Sequence, residues 1–62
     1  MNFRAVVRLL REDGWTVKDQ NGSHVHMVHA LKKGKITVPK HGKKDLKVGT
    51  LKAIWKQAGL GN

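Results

Sequence analysis

The chain has no cysteine and no tyrosine, and its 62 positions hold one proline, one phenylalanine, two tryptophans and four acidic residues. Without cysteine there is neither a disulfide staple nor a thiolate metal site, which suits a reducing compartment. So few aromatic rings exclude a nucleic-acid site built as a stacking platform for bases. No apolar run approaches the roughly 20 residues of a membrane helix. Arg4, Arg8 and Arg11 interrupt the N-terminal stretch, where a secretory signal needs continuous hydrophobicity. The expected location is the cytoplasm.

Apolar residues make up 39% of the chain, with seven glycines besides, and this places it among globular domains rather than disordered tails. A chain this short buries only about 60% of its unfolded surface and cannot support two cores. A single domain over 1–62 with a thin core is therefore expected. Its charge is segregated. Residues 1–31 hold four basic and three acidic side chains, whereas residues 32–62 hold nine lysines and one aspartate, out of a total net charge of +9. One basic half points to a polyanion or an acidic protein as partner. Solubility alone is the plain alternative for a lysine-rich face, but it does not explain the segregation.

Phe3, Val6, Val7 and Leu10 stand at i, i+3, i+4 and i+7, the stripe of an amphipathic helix, with Asn2 as a candidate N-cap and Asp13-Gly14 as its end. From Trp15 the period becomes two. Trp15 and Val17 mark a first strand, followed by Asp19-Gln20-Asn21-Gly22 as a polar turn containing the Asn-Gly hairpin signal. A second strand from about Ser23 to Ala30 puts Val25, Met27 and His29 on one face and His24, His26 and Val28 on the other. After Lys32-Lys33-Gly34, a third strand runs from Lys35 to Val38 and stops at Pro39, which has no amide hydrogen for a ladder. Residues 40–47 show no period and read as a basic loop. Leu51, Ile54, Trp55 and Ala58 then restore the helical stripe, closed by Gly59 and Leu60.

The fold class expected from this order is α+β, a three-stranded antiparallel meander with both helices on one face. Trp15, Val17, Val25, Met27, Ile36 and Val38 form the face that can bury two helical stripes. The opposite face, carrying His24 and His26, is left to solvent or a ligand.

Three histidines at 24, 26 and 29 raise the question of a metal. His24 and His26 share a strand face and can converge, but His29 has the opposite parity, so a third ligand is missing and no metal site is expected. Acid–base work is the stronger use. An imidazole with an ordinary pKa of about 6.5 both takes and gives protons near neutrality. Beside a basic surface it can deprotonate the 2′-hydroxyl of RNA while lysines stabilise charge on the phosphate. For any one histidine alone, a solvated surface side chain is the simpler reading, and His29 reads as a hydrogen-bonded packing residue.

Gly22-Ser23-His24, Val38-Pro39-Lys40-His41, and Gly49-Thr50-Leu51 running through Ile54 to Ala58-Gly59-Leu60, in this order and spacing, resemble the HicA family of toxin–antitoxin systems over nearly the whole chain. The resemblance implies an mRNA interferase with a fold like a double-stranded RNA-binding domain. Its catalytic histidine would be His24, and its partner a HicB-type antitoxin that covers the active site. Asn21 stands where the family commonly has a basic residue, Met27 where an aromatic is frequent, and Ala30 where a proline is. The reading that results is a cofactor-free, metal-independent endoribonuclease with His24 as general base, supported by Gly22, Ser23 and His26. Lys40, Lys43, Lys44 and Lys47 would hold the RNA backbone. The general acid is open between His26, a lysine and water. The rival readings are a basic RNA-binding module without catalysis and a protein-interaction domain that docks an acidic partner.

Overall fold

The computed structural model describes residues 1–60, so the last two positions of the expected domain lie outside it. The order is α1 (Phe3–Glu12), β1 (Trp15–Asn21), β2 (His24–His29), β3 (Lys35–Pro39) and α2 (Val48–Ala58). The strands form one antiparallel sheet in the order β1-β2-β3, which puts the histidine-bearing strand in the centre. Cross-strand partners share a face. Val17, Met27 and Ile36 line up across the sheet, as do Val25 and Val38, and this is the face that both helices cover.

Val6 and Leu10 from α1, Ile54 and Ala58 from α2, and Trp15, Val25, Met27, Ile36 and Val38 from the strands make one buried core, with Phe3, Val7, Leu51 and Trp55 packed around it. Val17 departs from expectation. It has the core parity but is 41% exposed, because β1 is an edge strand and neither helix reaches over that end. Leu46, inside the stretch read as a featureless basic loop, is buried, and its amide donates to the Met1 carbonyl at 2.8 Å. A lone leucine in a run of lysines is the signal that marks it. Through it, the loop is pinned beside the start of α1 by the Asn2–Asp45 bridge.

The strand boundaries also shift. Asp19, Gln20 and Asn21 belong to β1 rather than to a turn, since they pair with His26, Val25 and His24 across the ladder, and backbone pairing takes no account of side-chain polarity. The two-residue loop is Gly22-Ser23, with only Gly22 at positive φ (61°). That is the pattern of a type II′ hairpin, not of the type I′ turn suggested by Asn-Gly.

Each helix is closed by local chemistry. Asn2 Oδ1 accepts from the Ala5 amide at 3.0 Å at the start of α1. At the end of α2, the Leu60 amide donates to Trp55 and the Gly59 amide to Lys56, with Gly59 in the left-handed conformation, a Schellman closure. The Ala58 carbonyl accepts instead from Lys32 Nζ at 2.8 Å, and the same ammonium reaches Asp13 Oδ2 at 2.6 Å. Trp15 Nε1 donates to that carboxylate at 3.2 Å, so Asp13 joins the end of α1, the first strand and, through Lys32, the end of α2.

Lys32 holds the Asp13 carboxyl below its ordinary value, chiefly through the side-chain hydrogen bond. A carboxylate whose folded pKa is depressed stabilises the fold above its unfolded pKa of about 3.9 and loses that contribution as pH falls through the folded value. Asp13→Asn is therefore expected to flatten the acid limb of a plot of urea midpoint against pH, starting from about pH 5 downward. An acid limb identical to wild type would remove Asp13 from this role.

Candidate functional site

His29 settles into a structural role. Its Nε2 donates to the Asp13 carbonyl at 2.6 Å, while its Nδ1 accepts from the amides of Leu31 and Lys32 at 2.9 and 3.2 Å. That pattern requires the neutral ring with its proton on Nε2. The ring packs edge-on to Trp15, with centroids 5.2 Å apart. Gly14 makes room for it. At φ 103° a side chain is already strained, and a Cβ there would meet His29 Nε2 at 2.6 Å.

The other face of the sheet carries three cross-strand rows. Asn21, His24 and Pro39 form the first, Asp19, His26 and Thr37 the second, and Thr16, Val28 and Lys35 the third. His24 is exposed at the mouth of the Gly22-Ser23 hairpin, directly after the turn. Ser23 joins the site through its carbonyl, which accepts from the Lys40 amide at 2.6 Å and ties the hairpin to the end of β3. The Gln20 side-chain amide donates to the Gly22 carbonyl at 3.0 Å and braces the same turn. His26 is 18% exposed and hydrogen-bonds through Nδ1 to Thr37 Oγ1 at 2.9 Å, with its Nε2 3.9 Å from Asp19 Oδ1. His24 and His26 thus share a face as the alternation predicts. The contacts of His26 with Thr37 and Asp19 depend on register and leave no mark in the sequence.

The four lysines divide. Lys40 sends its ammonium over the Phe3 ring, 5.9 Å from the centroid, on the helix side of the sheet. Lys44 and Lys47 line a groove with Pro39, His41, Asp45, Leu46 and Thr50 at the start of α2, where the Asp45 carboxylate is paired with the N-terminal ammonium at 3.4 Å. Lys43 is exposed on the same loop. Pro39 links the two regions, since it pairs with His24 across the sheet and also walls the groove. Lys47 caps α2 through its backbone only, and the first turn of that helix holds no acidic residue, so its amide dipoles reinforce the lysine field. A separate groove along α1 is lined by Phe3, Val7, Glu12 and three arginines, Arg4, Arg8 and Arg11, of which helical periodicity says only that they lie away from the apolar stripe.

Among the described residues, no three His, Cys, Asp or Glu side chains come together as a metal site would require, and no helix is long and apolar enough to cross a membrane. A face with two histidines, continuous with a cationic groove, can move protons at a bound phosphodiester. A family described as the HicA toxin of bacterial toxin-antitoxin matches residues 3–60. No curated protein matches the chain.

Proposed function

Because the chain belongs to the HicA toxin family of bacterial toxin–antitoxin systems, we propose that it is an mRNA interferase, a metal-independent endoribonuclease that stops translation by cutting mRNA. The observation that carries this reading is the placement of His24. It is exposed on the open face of the sheet, beside a proline that also walls the lysine groove. An RNA strand lying in that groove brings a ribose to the hairpin mouth. His24 takes the proton of the 2′-hydroxyl, the oxygen attacks the adjacent phosphorus, and the 5′-oxygen leaves. Gly22 and Ser23 hold the turn from which His24 projects, and His26 lies beside it on the same strand.

Lys43, Lys44 and Lys47 neutralise the backbone on either side of the cut, with Lys40 at the margin. Such contacts position RNA without reading its sequence. The reaction belongs to the cytoplasm, where the mRNA is. The antitoxin partner expected is a HicB-type protein that blocks the toxin by covering this same face and its lysines.

The test is incubation of a purified mRNA with the protein in excess EDTA. Fragments ending in a 2′,3′-cyclic phosphate and a 5′-hydroxyl are expected, and binding without cleavage would leave only an RNA-binding module. For the lysines, binding of uncleavable 2′-O-methyl RNA should become less salt-dependent when Lys43, Lys44 and Lys47 are all changed to Gln. The slope of log affinity against log salt is expected to shrink by about 0.7 for each phosphate that is no longer neutralised. An unchanged slope would place the backbone contacts elsewhere.

A further inference from the structure

The register of β1 against β2 slips between Val17 and Asp19. Val17 faces Met27, so an unbroken ladder would set Lys18 opposite His26. The bulge sets Asp19 there instead. One extra residue thus exchanges a cation for an anion beside this imidazole. Bulges re-aim side chains in this way next to active sites.

We propose that His26 is the general acid of the cleavage, positioned by Thr37 and by the aspartate that the bulge brings opposite it. The inference rests on the nuclease reading and completes it. Along a strand, neighbouring positions on one face are about 7 Å apart. That distance lets His24 and His26 reach the entering and leaving oxygens of one phosphodiester, each through a hydrogen bond of about 3 Å.

The charged groups facing the His26 ring are Asp19 from β1, His24 from β2 and, one row along, Lys35 from β3. Thr37 engages Nδ1 at 2.9 Å and fixes the ring plane, which leaves Nε2 as the free nitrogen. Asp19 stands 3.9 Å from Nε2, near enough to attract an imidazolium and too far to hold its proton in a hydrogen bond. In the reaction, the bond from the 2′-oxygen to phosphorus forms as the bond to the 5′-oxygen breaks. The 2′-hydroxyl proton passes to His24, and the Nε2 proton of His26 passes to the leaving 5′-oxygen. Exchange with water resets both rings.

A 5′-bridging sulphur at the cleaved linkage tests this, because a thiolate, with a pKa of about 8.5, leaves without being protonated. His26→Gln is expected to slow cleavage of the ordinary oligoribonucleotide by about 10²–10⁴-fold and to cut the sulphur-bridged one as wild type does. His26→Gln, which removes the acid itself, should also lose the alkaline limb of the pH–rate profile on the ordinary linkage. Thr37→Val should show the same selectivity more weakly, and Thr37→Ser should restore wild-type behaviour. Thr37 is exposed and valine suits a strand, so this variant keeps the fold. Equal slowing of both linkages by Thr37→Val, or slowing of neither, overturns the assignment. If the wild-type protein cuts neither linkage, it is the nuclease reading itself that fails.

Discussion

His24→Ala is expected to slow RNA cleavage by about 10²–10⁴-fold, the usual contribution of a positioned general base, while unfolding in urea and binding to 2′-O-methyl RNA stay as in wild type. The separation follows from where the side chain sits. His24 is exposed on the uncovered face of the sheet, so truncating it opens no cavity, and substitutions at such positions usually change stability by less than about 0.5 kcal/mol. The lysines proposed to contact phosphate, Lys43, Lys44 and Lys47, lie on another segment. In cells, wild-type expression should arrest growth and the variant should not. A variant that cuts RNA at the wild-type rate would move the base to another residue.

The second large effect lies in the core. Ile54 is 3% exposed and closes the space between α2 and the sheet, so Ile54→Ala is expected to cost about 2–5 kcal/mol in urea unfolding. Domains carry roughly 0.05–0.15 kcal/mol of stability per residue, about 3–9 kcal/mol for this length. Much of the fold's margin would go, and activity with it. Leu51 shares the helical stripe but is only half-buried, and Leu51→Ala should cost distinctly less. Equal costs for the two would mean that α2 sits on the sheet with a different face.

The stripe itself does not rank these two residues. Periodicity identifies which side of a helix turns inward, and it does so for Val6, Leu10, Ile54 and Ala58. How deeply each residue is buried depends on what lies opposite. Val17 makes the same point on the sheet, where it has the right parity but sits at an uncovered edge. The element order, the helix caps at Asn2 and Gly59, the shared face of His24 and His26 and the opposite parity of His29 are all legible in the sequence. So is the family, from three short motifs in order.

The hairpin turn lies one residue beyond its expected place because Asn21 and Gly22 offer a strong local signal, and the cross-strand pairing that overrides it is not local. Leu46 escapes the pattern because a single apolar residue has no period. The link from Asp13 through Lys32 to Ala58 spans positions that composition does not connect.

Local alternation and capping are properties of neighbouring residues, so the chain specifies its elements, their inward faces and the position of its candidate base without reference to anything distant. Register between strands is different. It is set only when three strands pair over a common core, and one inserted residue at Lys18 decides whether His26 faces a lysine or an aspartate. The charge beside the second histidine, its hydrogen bond to Thr37 and the junction of the lysine groove with the hairpin at Pro39 belong to the tertiary structure, because each joins residues that only the packed sheet brings together.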